Sequence, residues 1–395
     1  MSKRVMLIAN SASMIDHFNR DNIDILQSMG CQITVAANFK DGNSSTREKI
    51  SDFKKELEAK GIDTIHLPIP RRVTQLTKMF KSVNMIKNYL KENPCALVHT
   101  QTPFGGVAGR LAAKSFRKKD GTKVIYFVHG FHFFKGAAFK NYLIYYNIEK
   151  SLSKCTDCLI TLNQEDYKTA SKKFKKTHVE YVPGVGVDTT AISMLPVDKK
   201  EKCKELKIPK GKKIVMTMAE LIPRKNVSAT INAFAAAENE DAVLLICGRG
   251  KELKKLRELS KELGIKDKVI FAGYRTDILE ICKIADIFLF TSYQEGLPVA
   301  IMQAMAAGLP IIASDIRGNR DLLAPDKDSK SEDYLVPIDD IQGFTNKLNH
   351  LLKNEKECEK LGEVNKANCR KYFDIELVHD RMTEIYESLL LSNQE

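Results

Sequence analysis

The stretch EGLPVAIMQAMAAGLPIIASD, residues 295–315, decides the fold. It follows the apolar run Ile287–Phe290, which predicts a buried strand. Pro298 suits the first position of a helix, where its missing N–H needs no partner, and Gly308 suits the residue just past the helix end. The apolar run Ile311–Ala313 then predicts a second strand. A strand, a helix and a strand in this order form a βαβ unit, so the stretch predicts a parallel sheet.

The same alternation of short apolar runs and longer helical periods fills most of the chain. Predicted strands in the first half are Val5–Ala9, Ile33–Ala36, Leu97–Thr100, Val124–Val128 and Cys158–Thr161. Those in the second half are Ile214–Met218, Val243–Cys247, Val269–Ala272, Ile287–Phe290 and Ile311–Ala313. Predicted helices include Ile15–Met29, Ile50–Lys60, Met79–Leu90 and an amphipathic Val378–Leu391. The pattern predicts an α/β protein with two Rossmann-like, doubly wound domains.

A pause in this alternation marks the predicted domain boundary. Residues 181–188 are rich in glycine and residues 193–204 carry proline and many lysines, so a linker is expected near residues 185–205. We predict domains at residues 1–195 and 196–375, with a final helix in residues 376–395. A chain of 395 residues suits two domains, because single cores rarely exceed ~250–300 residues. Ligands of such sheets bind at the carboxyl ends of the strands, so the cleft between two facing domains is the expected site.

Composition and cysteine usage exclude several classes of protein. Hydrophobic residues make up 43% of the chain, and no apolar run approaches the ~18–20 residues that span a bilayer. The run Val5–Ala9 is shorter than the ~7–15 residues of a signal-peptide core, so we expect a cytoplasmic protein. Nine cysteines then predict free thiols, and the isolated pair Cys155 and Cys158 argues against a zinc or redox site.

Positive charge is concentrated in the first half of the chain. Residues 1–200 hold 32 lysines and arginines against 18 acids, whereas the remainder holds 30 against 32. The excess lies in Arg71–Lys87, Arg117–Lys119 and Lys172–Lys176. This asymmetry predicts an anionic partner, either nucleic acid or an anionic membrane surface, although solvated helix faces give the same pattern. Nucleic acid is the weaker alternative because no base-reading module is present.

The loop that contains Glu295 has the properties of an anion site. A helix that begins at residues 297–299 presents unpaired backbone N–H groups there, and such groups bind phosphate. Gln303 falls within the first two turns of this helix and reaches a ligand held at its end. A plain strand–loop–helix crossover with a capping acid is the alternative interpretation.

The stretch 295–315 resembles the signature of the retaining group 1 (family 4) glycosyltransferases of the GT-B fold. That signature has a glutamate, seven residues, a second glutamate, and a helix that ends in Ala-x-Gly-x-Pro. Further segments agree in order and spacing over nearly the whole chain: AELIPRKN (219–226), CGRG (247–250), FAGY (271–274) and VHGFHFFKG (128–136). The last resembles bacterial capsule and exopolysaccharide enzymes of this family. The resemblance implies that the two domains face each other across a cleft and that the C-terminal helix crosses back to the first domain.

The resemblance also implies roles for particular residues. Arg224 and Lys225 would neutralise the donor diphosphate, Glu295 would accept hydrogen bonds from the donor sugar, and His129 would lie near the reacting anomeric carbon. Further contacts with the nucleotide-sugar are implied for Gly248, Tyr274, Arg275, Gly296, Leu297, Pro298 and Gln303. The acceptor side would involve His99, Gly105, Gly106 and His132. No metal and no cofactor are implied, because cations and helix ends stabilise the leaving group in this family.

Two positions depart from the family pattern. Gln303 replaces the second glutamate, which in the family binds ribose hydroxyls; it is either a natural variant or an engineered replacement. An amide loses the charge-assisted hydrogen bond, which is roughly twice as strong as a neutral one, so weaker donor binding is expected. Glu220 stands where many relatives have arginine, and Arg224 is the candidate to supply that cation.

The resulting prediction is a retaining transferase that moves a hexosyl or N-acetylhexosaminyl group from a UDP-sugar to a polyprenyl-diphosphate-linked saccharide. It would work in capsule or exopolysaccharide synthesis, in the cytoplasm and peripherally bound to the inner face of the cell membrane. Val73–Leu90 is the candidate membrane-docking helix; a core-packing helix with a basic outer face is the alternative. Two other classes remain open: an inactive GT-B subunit that supports a partner transferase, and a nucleotide-sugar epimerase.

Overall fold

The chain divides into two compact units. The computed structural model describes residues 2–70, 72, 74–134, 136–237, 240–326 and 329–391. Unit 1 comprises the residues up to Val182 and those from Val378 onward, and unit 2 is Pro183–Leu377. The segment predicted as a linker is largely helical and belongs to unit 2, so the division falls before residue 195. Arg71 and Val73 of the basic and docking segments, Lys135 and residues 392–395 lie outside the described residues.

The described part of unit 1 contains a seven-stranded parallel sheet. Its strands are β1 (Arg4–Ile8), β2 (Gln32–Ala37), β3 (Asp63–His66), β4 (Leu97–Gln101), β5 (Lys123–Val128), β6 (Cys158–Thr161) and β7 (His178–Tyr181). They lie in the order β3-β2-β1-β4-β5-β6-β7. The central strands are buried on both faces and therefore read as continuous apolar runs. The edge strands β3 and β7 are half-exposed and polar, which is why the apolar pattern did not predict them.

Helices cover both faces of this sheet. They are α1 (Ala12–Phe18), α2 (Arg20–Ser28), α3 (Arg47–Ala59), α4 (Leu76–Glu92), α5 (Pro103–Lys119), α6 (Phe139–Asn141), α7 (Asn147–Ser153) and α8 (Gln164–Lys173), with a π-helical segment Tyr142–Tyr146 between α6 and α7. The single helix predicted at Ile15–Met29 is wrong. The chain breaks at Asn19, whose φ is −139°, and the Asn19 side chain donates to Gln101 Oε1 at the end of β4.

The described part of unit 2 contains a six-stranded parallel sheet. Its strands are β8 (Lys213–Met218), β9 (Ala242–Cys247), β10 (Val269–Gly273), β11 (Ile287–Phe290), β12 (Ile311–Ser314) and β13 (Leu335–Val336). The order is β10-β9-β8-β11-β12-β13, so β8 and β11 are neighbours. The helices are α9 (Thr189–Met194), α10 (Lys199–Glu205), α11 (Val227–Ala236), α12 (Leu253–Glu262), α13 (Ile278–Ile284), α14 (Val299–Ala306), α15 (Arg317–Leu323), α16 (Ile341–Lys353) and α17 (Glu355–Tyr372).

The opening stretch forms the expected βαβ unit between β11 and β12. Pro298 is the N-cap residue of α14, one position before the predicted one, and its carbonyl accepts the amide of Ile301 at 3.1 Å. Gly308 follows the C-cap with a φ of +81°, a left-handed conformation that glycine adopts without a steric penalty. Four apolar side chains of α14 are fully buried, and their packing holds the helix in place: Ile301, Met302, Ala304 and Met305.

The last helix, α18 (Ile375–Leu391), contributes its residues from Val378 onward to unit 1. Tyr386 is fully buried, and its hydroxyl lies 2.8 Å from His99 Nδ1. None of the helices in the described residues has the length and apolar character that crossing a membrane requires. All nine cysteines are free, and within the described ranges no three His, Cys, Asp or Glu side chains are grouped to hold a metal ion.

Candidate active site

Two loops in unit 2 leave the carboxyl ends of the neighbouring strands β8 and β11. Several hydrogen bonds tie them together: the Thr291 hydroxyl donates to the Asn226 carbonyl at 2.8 Å, and the Tyr293 amide donates to the Arg224 carbonyl at 3.0 Å. Asn226 adopts the left-handed conformation, with φ 48°, which asparagine tolerates better than most residues. Asn226 and Thr291 were not predicted as site residues; an asparagine directly before a helix was the available signal.

Glu295 forms an ion cluster with both predicted cations. Its carboxylate lies 2.7 Å from Lys225 Nζ and 3.5 Å from an Arg224 guanidinium nitrogen. The Glu295 side chain is only 8% exposed, whereas Arg224 is 45% exposed and also donates to the Gln294 carbonyl at 2.6 Å. Two cations against one carboxylate leave a positive surplus at the surface of the cluster. A buried ion pair of this kind fixes the lysine in place, so the cluster is arranged to attract an anion.

The N-terminus of α14 follows this cluster directly. Gly296 and Leu297 connect Glu295 to the N-cap Pro298, and the first amides of the helix precede its first internal hydrogen bonds. The helix dipole adds partial positive charge at this end. A Cβ on Gly318 would lie 2.4 Å from the Gly296 carbonyl, so the start of α15 packs tightly against this loop. Gln303 is half-buried in the second turn of α14.

Gly248 has a steric role that the structure makes explicit. A Cβ at this position would lie 1.9 Å from the Ala219 carbonyl oxygen, and the Gly248 amide donates to the Gly273 carbonyl at 2.7 Å. The residues after β8 therefore run directly over the residues after β9. This contact supports the loop that carries Arg224 and Lys225, and a contact of Gly248 with nucleotide stays a prediction.

Tyr274 and Arg275 follow β10 and differ in how they are held. The Tyr274 side chain is 55% exposed, and the Arg249 guanidinium lies 4.9 Å from its ring centre. Arg275 is instead bonded to Asp277 at 2.7 and 2.5 Å and to Glu205. The Asp277 carboxylate, followed by Glu205, raises the pKa of Arg275 above its ordinary value. The ring of Tyr274 is thus more than half exposed beside Arg249, whereas Arg275 is held in a network of ion pairs.

In unit 1, His129 follows β5 and lies in a polar network at the carboxyl edge of the sheet. His129 Nε2 is 2.8 Å from Gln101 Oε1, and Gln101 also bonds with Asn19. Since a carbonyl oxygen only accepts, Nε2 carries the proton and Nδ1 is left as an acceptor. Burial lowers the pKa of His129 to about 4, so the ring is neutral near pH 7. Gln101 was not predicted, because nothing in the sequence distinguishes it from other polar residues.

The residues predicted for the acceptor side are placed differently from one another. His99 is fully buried beneath this edge, between Tyr386 and Gln101, and burial lowers its pKa to about 3. His132 is half-buried and stacks on Tyr145, with ring centres 4.7 Å apart. A Cβ on Gly106 would lie 2.3 Å from the Tyr126 ring, and the Gly105 amide donates to Asn10 Oδ1 at 2.6 Å. The two glycines therefore let α5 begin close to the sheet.

Thr102 marks the same edge by its backbone conformation. Its φ of 63° and ψ of 155° lie in a region that is almost restricted to glycine. The Thr102 hydroxyl donates to Asn10 Oδ1 at 2.7 Å, which helps to hold this conformation. Strained residues cluster at functional sites, so Thr102 supports the assignment of function to the edge formed by β1, β4 and β5.

Comparison with known proteins agrees with this architecture. HepE of Anabaena, whose structure was solved with UDP and glucose, matches with a TM-score of 0.75 over 98% of this chain and 100% of that chain, at 19% identity. Two Rossmann-like parallel-sheet units with this match define a GT-B fold. The sequence model described as "Glycosyl transferases group 1" matches residues 198–368, and that described as "Glycosyl transferase 4-like" matches residues 4–163.

Two relatives extend the match over most of the chain. The EpsD protein of Bacillus subtilis (strain 168), a glycosyltransferase by name, is 29% identical over 394 residues, which cover 99% of this chain and 98% of that protein. The Escherichia coli enzyme named UDP-Gal:alpha-D-GlcNAc-diphosphoundecaprenol alpha-1,3-galactosyltransferase is 30% identical over 339 residues, which cover 82% and 84%. The chain belongs to the group 1 glycosyltransferases.

Proposed function

We propose that the protein is a retaining, metal-independent glycosyltransferase that moves a hexosyl or N-acetylhexosaminyl group from a UDP-sugar. The acceptor is a hydroxyl group of a polyprenyl-diphosphate-linked saccharide, and the product serves capsule or exopolysaccharide synthesis. The observation that carries the proposal is the cluster of Arg224, Lys225 and Glu295 beside the N-terminus of α14. The name of the Escherichia coli relative, which gives UDP-Gal and a diphosphoundecaprenol-linked sugar, supports a UDP-sugar donor and a lipid-linked acceptor.

On the donor side, unit 2 stabilises the leaving group. Cleavage of the bond to the anomeric carbon leaves negative charge on the β-phosphate, and Lys225 with the α14 amides accepts that charge. Glu295 then has two functions: it holds Lys225 in position and accepts hydrogen bonds from sugar hydroxyls. Tyr274 supplies an exposed ring for the nucleotide base. The leaving phosphate oxygen takes the acceptor proton, so no protein nucleophile is needed.

On the acceptor side, unit 1 supplies the neutral His129. With Nε2 bound to Gln101, Nδ1 offers a lone pair to a sugar hydroxyl, and the low pKa keeps this atom unprotonated at physiological pH. Gln101 and Asn19 set the orientation of the ring, and His99 with Tyr386 supports Gln101 from the interior. These residues position the substrate without taking part in proton transfer.

We also place the protein at the inner face of the cell membrane. In helix α4, Val83 and Ile86 are buried, whereas Leu76, Phe80 and Lys81 in its first two turns are exposed. A second exposed apolar surface is formed by Phe139, Leu143, Ile144 and Ile148 in the helical segment from α6 to α7. Apolar side chains within a unit of net positive charge are typical of proteins that bind an anionic lipid surface.

The proposal is tested by supplying UDP-sugars with a polyprenyl-diphosphate-linked saccharide and measuring glycosylated product by mass spectrometry. The variant R224Q/K225Q should lose about 10²–10³-fold in turnover, as expected when donors that stabilise a developing anion are removed. The matched control is K254Q/K255Q, which neutralises two consecutive, exposed lysines on α12 of the same unit. Equal activity of both variants would refute the assigned role of the cluster.

The same assay separates the two alternatives. An inactive subunit would release no nucleoside diphosphate from any sugar nucleotide, with or without acceptor. An epimerase would interconvert donor sugars in the absence of acceptor. A transferase instead consumes donor and acceptor in equal amounts, and nuclear magnetic resonance of the product linkage reports whether the anomeric configuration is retained.

A further inference from the structure

Unit 1 contains a cavity of about 290 Å³ beside strands β2 and β3, which we call the α3 pocket. Its lining comes from three elements: the loop that follows β2, one face of α3, and one face of β3. None of its residues was assigned to the donor cluster or to the His129 network. The lining residues are Phe39, Lys40, Arg47, Ile50, Ser51, Lys54, Thr64 and His66.

The rim of the α3 pocket is positively charged. Lys40, Arg47 and Lys54 are exposed, whereas Ile50 is buried and His66 is half-buried. Within the described part of the chain, no carboxylate lies within 4 Å of the charged groups of Lys40 and Arg47. Lys54 is partly neutralised by Glu58, at 3.4 Å. The pocket therefore contains two cations that are available to a ligand.

Arg47 lies at a helix N-terminus, where a positive charge is unfavourable. It is the first residue of α3, where the helix dipole disfavours a cation, and the Thr46 hydroxyl already caps the helix by accepting the Lys49 amide at 3.3 Å. Residues that contradict their local environment are expected mainly at functional sites. An anion bound at this end would pair with Arg47 and would also be attracted by the helix N-terminus.

Neutral donors complete the pocket. His66 Nδ1 accepts the amide hydrogen of Phe39 at 3.2 Å, so the neutral ring carries its proton on Nε2. Burial, followed by the nearby Lys40, lowers the pKa of His66 and favours this neutral form. Ser51 and Thr64 add hydroxyl groups. The lining residues thus offer hydrogen-bond donors and cations to a compact polyanion, and the acid beside them is Asp41, which opposes the effect of Lys40 on the pKa of His66.

We propose that the α3 pocket binds the diphosphate group of the lipid-linked acceptor. The identity of this ligand rests on the proposed function, whereas its diphosphate chemistry rests on the pocket alone. Arg47 and Lys40 pair with the phosphate oxygens, and the hydroxyls and His66 donate hydrogen bonds to them. The volume is at the lower end of the range for ligand sites, about 300–1,000 Å³, which fits a diphosphate better than a nucleotide-sugar.

The position of the pocket limits the length of the acceptor. His129 follows β5, which lies three strands from β2 and four from β3 in the sheet order. Because neighbouring strands are about 4.8 Å apart, the pocket lies roughly 14–19 Å from His129 along the same sheet edge. One pyranose ring is much shorter than this, so the acceptor would already carry more than one sugar. The reaction that supplies the substrate is then an earlier glycosyl transfer to the same lipid.

The test measures binding of inorganic pyrophosphate to the full chain by calorimetry. All variants carry R224Q/K225Q, so that the donor cluster does not contribute. Adding K40Q/R47Q should weaken pyrophosphate binding at least tenfold, whereas the control K49Q/K55Q, which removes the same charge from the outer part of α3, should change it less than twofold. Vesicles of phosphatidylglycerol, with phosphatidylcholine as reference, report in parallel whether the pocket binds a lipid headgroup instead.

Separate outcomes address the pocket and the proposed function. In the otherwise unchanged protein, K40Q/R47Q should raise the KM for the lipid-linked acceptor about tenfold and leave the affinity for the donor nucleotide unchanged. The proposal would be overturned if K40Q/R47Q and K49Q/K55Q weakened pyrophosphate binding equally. It would also be overturned if K40Q/R47Q weakened binding to vesicles and left pyrophosphate binding unchanged. A protein that binds pyrophosphate in the pocket but transfers no sugar would contradict the proposed function and leave the diphosphate site standing.

Discussion

Replacement of Gly248 by alanine perturbs the donor cluster without touching any charged group. The new Cβ would lie 1.9 Å from the Ala219 carbonyl oxygen, and relief to an ordinary contact of about 3.5 Å requires a shift of roughly 1.5 Å. The main chain after β8 must move to make this shift, because the nearest atoms to the new Cβ are backbone atoms of Ala219. The displaced segment leads within a few residues to Arg224 and Lys225.

The magnitude follows from this displacement. A misplacement of about 1 Å costs on the order of 10²-fold in rate, and an overpacked interior costs about 1–3 kcal/mol of stability. For a unit of this size, that stability loss lowers the Tm by roughly 2–12 °C. We therefore expect G248A to fold, to melt at a lower temperature, and to lose about 100-fold in turnover and in affinity for the donor nucleotide at 20 °C.

The control for this prediction is G264A, also in unit 2. Gly264 has a φ of +72° and no atom within 4 Å of an added Cβ, so alanine there costs about 1–2 kcal/mol of backbone strain without moving a neighbour. Thermal melts and calorimetric titration with UDP should show that both variants are destabilised and that only G248A binds donor poorly. Full donor affinity and turnover in G248A would refute the link between this contact and the cluster.

Three further predictions concern single side chains. Q303E should lower the KM for the donor about fivefold, because a charge-assisted hydrogen bond to the ribose replaces a neutral one; a control with 2′,3′-dideoxy donor should show no gain. Burial lowers the pKa of His129 to about 4 and that of His99 to about 3, so the unfolded chain binds protons at these histidines at a higher pH than the folded chain. Each histidine should therefore reduce the free energy of unfolding by about 2 kcal/mol between pH 7 and pH 5. Urea unfolding measures this loss, and a stability that does not change with pH would contradict the buried neutral rings. Y386F should cost about 1–2 kcal/mol by leaving His99 Nδ1 unpaired, whereas Y372F, at an exposed bond to Asp326, should cost less than about 0.5 kcal/mol.

Much of the framework was predictable from the sequence, and the elements that were missed have two physical causes. Strands buried on both faces are continuous apolar runs, so β6 and β11 were predicted with their observed bounds. The strands β3 and β7 lie at sheet edges, where one side faces solvent and apolar residues are not required. The break at Asn19 depends on a hydrogen bond to Gln101, 82 residues away along the chain. No local pattern contains that information.

The candidate donor site shows the same division. Its Glu-Gly-Leu-Pro turn and the Arg-Lys pair could be found from the sequence, because loop and helix-start chemistry is local. The sequence did not show that Glu295 holds Lys225, or that Gly248 is required by the Ala219 carbonyl, because the partners come from different strands. Likewise, Arg275 could be identified as a cation beside a strand end, but its ion pairs with Asp277 and Glu205 depend on how the fold brings these residues together.

The sequence by itself determined the alternation of strands and helices, the glycosyltransferase signature and the excess of positive charge in the first half. These are properties of neighbouring residues, since periodicity, capping and composition act over a few turns of chain. Tertiary structure alone decided which histidine is buried, which cations are paired and where a basic pocket forms. Those properties depend on solvent exclusion and on distances between atoms that are remote in the chain, and both are fixed only when the sheets assemble.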